Sequence, residues 1–265
     1  MPDPVAQKYG PWAVVAGASD GTGAAFAEQI ASHGINVVLV ARRRALLEEL
    51  AGRLPVQSRV VVLDLSEPTA IDRLVEETGD LEIGLVVFNA GADTVNQPML
   101  TWDIDELRAF VQRNCTAVLE ASYAFGGRMV ERGRGGVVLV TSGAAWAGGA
   151  ALAVYSASKA FDMNLAESLW AEWSPRGVDV LSLVLGATDT PSLRRSLARS
   201  GGHMGDLADP AAVAAEAIAH LADGPTWAYG MPDPAGPNPL ATFSRRDAVG
   251  LISAGTAAVA VDPSA

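Results

Sequence analysis

The chain has 265 residues, 49% of them hydrophobic and 18% charged, which is enough apolar material for a large buried core. Lysine plus arginine at 19 against aspartate plus glutamate at 30 leaves a net charge of −11, arguing against nucleic acid or an anionic membrane as partner, because both demand a positive field. The one cysteine, Cys115, excludes an internal disulfide and a cysteine-cluster metal site, so no metal is expected and a cytoplasmic setting is the natural reading.

The opening Met1-Pro2-Asp3-Pro4 has neither the basic nor the apolar region of a secretory signal. The uncharged stretch between Arg134 and Lys159 is interrupted by glycines and serines, and the one at 248–261 is too short for a bilayer, so no membrane span is expected.

Apolar runs of strand length at 12–16, 36–41, 59–63, 85–89, 136–141 and 178–185 are continuous rather than alternating, as strands covered on both faces are. Between them, 24–32, 43–54, 68–78, 104–131 and 154–173 place apolar residues at helical spacing. A further helix is predicted at 210–222, opening with Asp209 as N-cap and Pro210 in the first turn, followed by a seventh strand at 226–229. Repeated strand–helix–strand units predict an α/β doubly wound Rossmann fold, a seven-stranded parallel sheet flanked by helices, with residues 1–265 forming one domain.

Two segments depart from the repeat. Residues 190–207 hold arginines, glycines, His203 and Met204 without a strand, and read as a mobile lid inserted at the carboxyl edge of the sixth strand, where such sheets bind ligands. The proline- and glycine-rich 231–239 cannot be regular; with a terminal helix around 242–259 it makes 231–265 a tail rather than a second domain.

Gly17-Ala18-Ser19-Asp20-Gly21-Thr22-Gly23 falls between the first strand and the next helix. Glycines there allow a tight turn and close approach of a pyrophosphate to a helix N-terminus, although Gly-x3-Gly-x-Gly is a variant of the dinucleotide fingerprint and a plain turn is the competing reading. The second strand ends Val40-Ala41-Arg42-Arg43, with no acid to bind a ribose 2′-hydroxyl, so Arg42 and Arg43 favour the 2′-phosphate of NADP(H), with NAD(H) still possible. The bland alternative is a solvated helix start, although positive charge is unhelpful at a helix N-terminus. Asp64, at the end of the third strand, either accepts from the adenine amine or forms a turn with Leu65 and Ser66.

Tyr155 and Lys159 stand four residues apart at the start of a helix and so share one face. A nearby cation stabilises a phenolate and brings a tyrosine into range as proton donor or base. With 4 tyrosines in the chain and lysine only at Lys8 and Lys159, about 0.03 such pairs arise by chance. Ser142 ends the fifth strand, where it can bind a substrate carbonyl or cap a turn. Asn114 sits inside a predicted helix, a poor place for asparagine unless a buried polar bond or a function requires it.

These residues together resemble the short-chain dehydrogenase/reductase family in its single-domain form, from Pro11 to Gly230 and in family order: the glycine loop, Asn89-Ala90-Gly91, Asn114, Ser142, Tyr155 with Lys159, and Gly186 with Thr190. The resemblance implies that Tyr155 donates the proton, that Lys159 lowers its pKa and holds the nicotinamide ribose, that Ser142 steadies the carbonyl, and that Asn114 anchors a water extending the relay. It implies cofactor contacts from the glycine loop, from Asp64, Leu65, Asn89, Ala90 and Gly91 on the adenosine side, and from Gly186, Thr188 and Thr190 beside the nicotinamide. Leu185 stands where the family usually has proline, and Thr22 where an aliphatic residue is more common.

The expected activity is reversible NADP(H)-dependent reduction of a small to medium hydrophobic ketone, ketoacyl or steroid-like carbonyl. Ser142, Ala144, Trp146, Leu152, Tyr155 and Gly186 are the pocket candidates, joined by Met99 and the 190–207 lid, with core or interface roles open for Trp146 and Met99. A non-catalytic NADP(H)-binding redox sensor is the alternative from another class, which an intact Tyr155, Lys159, Ser142 and Asn114 disfavours; sugar-nucleotide epimerases or dehydratases usually carry a second domain. Apolar residues such as Leu165, Leu169, Trp170 and Trp173, with the family's pairing habit, point to a homodimer or homotetramer.

Overall fold

The computed structural model describes residues 3–91 and 96–260. A short helix, α1 (Pro4–Tyr9), absent from the expectation, opens them: the Asp3 carboxylate caps the N–H of Val5 at 2.8 Å and Pro4 occupies the first turn. Six residues are too few to show a helical apolar period, but the cap and proline are the usual start signal.

The seven expected strands form: β1 (Trp12–Ala16), β2 (Asn36–Ala41), β3 (Ser58–Val62), β4 (Ile83–Phe88), β5 (Gly135–Ser142), β6 (Val178–Leu185) and β7 (Thr226–Ala228). They make one wholly parallel sheet in the order β3-β2-β1-β4-β5-β6-β7. The order reverses between β1 and β4, and at that switch the carboxyl ends of the strands diverge into a crevice.

On one face, α2 (Gly21–Ser32), α3 (Arg44–Arg53) and α9 (Pro210–Ala219) bury Phe26, Ile30, Leu47, Leu50 and Ile218. On the other, α4 (Ala70–Glu77), α6 (Ala117–Arg132) and α7 (Ala153–Trp173) bury Leu74, Phe125, Met129 and Ala166. Both faces of β4 are covered, so all six of its residues are buried. This covering explains the unbroken apolar runs in the sequence.

Three boundaries differ from the expectation in ways that bear on the site. The helix expected from Ala24 begins at Gly21, so the last two glycines of the loop belong to its first turn. The single helix expected over 104–131 is two helices, α5 (Ile104–Val111) and α6, joined by a π-turn at Gln112–Thr116. There the Asn114 side chain donates to the carbonyl of Phe110 at 2.9 Å, the local competition that makes asparagine a poor helix former.

Third, the 190–207 segment contains a regular helix, α8 (Pro191–Ser200), with Thr190 as N-cap accepting from the N–H of Leu193 at 3.2 Å. No α8 residue is buried, which is why its sparse apolar pattern escaped notice. The terminal helix, α10 (Arg245–Thr256), folds back over the sheet edge. No helix among the described residues is long and apolar enough to cross a membrane.

Candidate active site

A cavity of about 840 Å³ opens at the carboxyl ends of the central strands. The turn after β1 forms one wall. Gly17, at φ +85°, lies so close to the segment after β4 that a Cβ would come within 2.8 Å of the backbone nitrogen of Ala90. Such an approach admits only glycine. Gly23 lies behind the wall: a Cβ there would meet the carbonyl oxygen of Gly17 at 2.0 Å, so it serves the packing of α2 on the turn and does not line the cavity. Gly17, Ser19, Asp20, Gly21 and Thr22 do line it.

Two arginines stand at the outer end. Arg43 donates to the hydroxyl of Ser19 at 2.6 Å and pairs with Asp20 at 2.7 Å, while Arg42 lies 3.5 Å from Asp64. Burial pushes the Asp64 carboxyl up, but hydrogen bonds from Ser66 and the charge of Arg42 leave it below the ordinary value. Leu65, Asn89, Ala90 and Gly91 continue the wall inward. The N-terminus of the 12-residue α2, the glycine turn and the arginine pair fit a phosphorylated dinucleotide: backbone N–H groups for a pyrophosphate and guanidinium groups for a further phosphate.

The inner end holds the polar side chains. Tyr155 and Lys159 project from consecutive turns of α7, and Ser142 ends β5; all three line the cavity. The Ser142 hydroxyl accepts from the N–H of Ala144 at 3.2 Å. The Lys159 ammonium donates to the carbonyl of Val140 at 2.9 Å and to Asp162 at 3.0 Å. Burial alone would drive Lys159 down; the negative charge of Asp162, then that of Tyr155, keeps it above its ordinary value.

Asn114 is fully buried and does not line the cavity. It lies just behind Gly91, where a Cβ would come within 2.0 Å of its Oδ1 and 3.7 Å of the Lys159 Nζ. That Oδ1 is buried without a hydrogen-bond partner among the described residues, an acceptor held beside the lysine.

Ala144, Leu152, Gly186, Thr188 and Thr190 line the cavity, and Trp146 does not. It packs instead with Met163, Val184 and Ala228, an apolar cluster beside the site that satisfies a large ring better than an open cleft. Met99, 49% exposed, lies against a separate small hollow on the far side of Tyr155.

Part of the roof comes from the 190–207 segment expected over the pocket, and part from α10, which the sequence reading did not place there. Leu193 and Ser196 of α8, Met204, and Leu251 and Ile252 of α10 all line the cavity. Polar ties hold α10 in place: Ser253 accepts from the N–H of Ala150 at 2.9 Å, and Arg245 donates to the carbonyl of Trp146 at 3.0 Å. The uncharged run around α10 was visible in the sequence, but nothing local showed where it would fold back.

A parallel Rossmann sheet whose crevice carries a glycine turn, a strand-end serine and a tyrosine–lysine helix defines a nicotinamide-dependent oxidoreductase of the short-chain type, and the short chain dehydrogenase family profile matches residues 11–200. The chain belongs to that family. It is similar to a 7beta-hydroxysteroid dehydrogenase of Clostridium sardiniense, 34% identical over 190 residues covering 70% of this chain and 72% of the relative. A very-long-chain 3-oxoacyl-CoA reductase of Neurospora crassa is 36% identical over 71% of this chain and 60% of its own length. Among solved structures, one described by the stereoselectivity of 7beta-hydroxysteroid dehydrogenase superposes with a TM-score of 0.84 at 27% identity, over 94% of this chain and 98% of its own. A short-chain dehydrogenase from Sphingobium yanoikuyae in complex with NADPH gives 0.74 at 26% identity, over 96% and 98%.

Proposed function

We propose that this protein reduces the carbonyl of a bulky hydrophobic substrate, of steroid or oxoacyl type, with NADPH, and oxidises the alcohol in reverse. The observation that carries the reading is the continuity of one cavity from Arg42 and Arg43 at one end to Ser142, Tyr155 and Lys159 at the other. When bound, the nicotinamide supplies the hydride; positioning and proton management fall to the protein.

Arg42, Arg43 and Ser19 would hold the 2′-phosphate, in place of the Arg43–Asp20 and Arg42–Asp64 pairs. Gly17 to Thr22 would hold the pyrophosphate at the start of α2, and Gly186, Thr188 and Thr190 the nicotinamide side. Ser142 would donate to the carbonyl oxygen while Tyr155 passes it a proton. Lys159 would stabilise the phenolate left behind, with Asn114 supporting it from behind Gly91. Ala144, Leu152, Leu193, Met204 and Ile252 would enclose the apolar body of the substrate.

The apolar side chains of Ala144, Leu152, Leu193, Met204, Leu251 and Ile252 around the inner end, and the names of the two relatives, support a bulky hydrophobic substrate. We further place the protein in the cytoplasm as a homodimer or homotetramer, with 190–207 as a closing lid. Exposed Ile104, Val111, Leu119 and Tyr123 on α5 and α6 support self-association, which light scattering at micromolar concentration measures directly.

The decisive experiment follows NADPH absorbance against ketosteroids, oxoacyl thioesters and small ketones, beside NADH and a Tyr155→Phe variant. Reduction of a bulky ketone with NADPH, lost in a variant that still binds NADPH, is the expected result. NADPH binding without turnover of any carbonyl would replace this reading with that of a redox sensor.

A further inference from the structure

We propose that Asp162 is a positioning residue of the acid–base site, its carboxylate serving as the buried counter-ion that keeps Lys159 protonated and fixed at the cavity floor. This rests on the reading above, in which Lys159 serves Tyr155.

Asp162 stands three residues after Lys159 on α7, and its carboxylate accepts from the ammonium at 3.0 Å. Both side chains are withdrawn from solvent, at 3% and 6% exposure. Of the other buried residues of α7, Met163 and Ala166 are apolar and pack against the sheet, while Ser156 and Ser158 return their hydroxyls to carbonyls of their own helix. A packing position of that kind suits a leucine or valine, and aspartate is a weak helix former.

Stability does not explain the pair. Two charges withdrawn from water gain little net energy over apolar side chains of the same volume. Nor is the carboxylate fully satisfied: its Oδ1 is buried without a hydrogen-bond partner among the described residues. What the pair does accomplish is geometric. An ammonium has three protons, and Val140 and Asp162 take two of them from opposite elements, β5 and α7. The third is left for the cavity, which Lys159 lines together with Tyr155.

Among the described residues the ionisable groups acting on Lys159 are few: Asp162 and Tyr155 from its own helix, and Cys115 from the π-turn, while β5 gives it the Val140 carbonyl. The Cys115 thiol is pushed up to about 11 by burial, with Asp162 adding to the shift, so it brings no charge at neutral pH. Among the described residues, Asp162 is therefore the one carboxylate offsetting the burial of the lysine. Without it the ammonium loses its proton at lower pH, and the tyrosine loses its cation with it.

The sequence supplies an unusually direct test, since its lysines are Lys8 and Lys159 only. Lysine labelled with ¹³C at Cε gives two side-chain signals in the full-length protein, and Lys8→Arg identifies them. In Asp162→Asn, the Lys159 titration is expected to move about one pH unit or more toward acid, with the high-pH limb of kcat/KM following it. Lys8 stays where it was. An unmoved Lys159 titration in a folded Asp162→Asn protein overturns the proposal and leaves Asp162 a merely structural residue.

If Asp162→Asn does not fold, Asp162→Leu, suited to its surroundings, carries the same comparison. If neither folds, the unaltered protein decides: Lys159 keeping its proton beyond 10.5, the ordinary lysine value, supports the counter-ion, and losing it below that value overturns it. The titration needs no turnover, so it answers even if no carbonyl is reduced.

Discussion

The floor of the cavity is made of strand ends and the base of α7, where Val140, Thr141, Leu185 and Lys159 are all buried. The roof is made of α8 and α10, which between them bury a single residue, Ala248. Every floor position is set by contacts on several sides, so it cannot shift without disturbing the sheet. The roof is held by a handful of hydrogen bonds and a partly apolar underside, and such segments open locally at low cost. Under the proposed function, chemistry that tolerates no displacement lies on one side of the substrate, and selection among substrates on the other.

The largest expected effect comes from removing the reacting group of the floor. Tyr155→Phe should lower kcat by roughly 10²–10⁴-fold while NADPH fluorescence shows binding little changed. Gly91→Ala comes next, because a side chain at φ +147° would press into the Asn114 Oδ1. A loss of about 2–3 kcal/mol is expected, read as a fall of roughly 4–12 °C in the thermal midpoint.

Exchanging Arg42 for alanine should raise the KM for NADPH by about 10-fold or more and leave that for NADH nearly unchanged, separating the phosphate end from the chemical end. On the roof, Leu193→Ala should raise the KM of a bulky ketone by roughly 3–10-fold with little effect on a small one or on folding. Equal loss for both substrates would show that the roof shapes the floor and does not merely cover it.

The smallest effect concerns acid. Asp189 is held below the ordinary carboxylate value by its two-pronged pair with Arg194, and Asp64, against the opposing effect of burial, by Ser66 and Arg42. A depressed folded value stabilises above the unfolded 3.8 and is lost as pH falls through the folded value. The thermal midpoint should therefore be insensitive to these two groups from pH 7 to about 5 and decline below 3.8. Asp189→Asn should change it by a degree or less, roughly, since the pair is exposed.

The same contrast governs what could be read from the sequence. Floor residues announce themselves through local constraint: an apolar run ending at Ser142, a glycine turn between strand and helix, a rare lysine one turn from a tyrosine. Each signal lies within a few residues of the function it marks. Leu251 and Ile252 carry no such signal: they lie beyond the irregular 231–239 segment, and only the fold brings them over the cavity. Of the two roles left open for Trp146, pocket or core, only the fold chooses: it follows Ser142 by four residues, yet turns into the cluster around Met163. Asn114 looked anomalous in a helix, and the π-turn is the cause, but only the fold brings its Oδ1 up behind Gly91. Residues 92–95, next to that glycine, lie outside the described residues.

The excursion that carries α8 leaves and rejoins the body at a single narrow neck. The N–H of Asp189 donates to the carbonyl of Ala208 at 2.9 Å, that of Ala208 to the carbonyl of Ala187 at 3.0 Å, and a parallel bridge joins Thr188 to Ala208. Because entry and exit are fastened to each other, whatever lies between them can be lengthened, shortened or replaced without passing strain to β6. Under the proposed function the fold thereby carries an exchangeable cassette: rewriting fewer than about twenty residues would change the substrate while leaving the proton chemistry beneath unaltered.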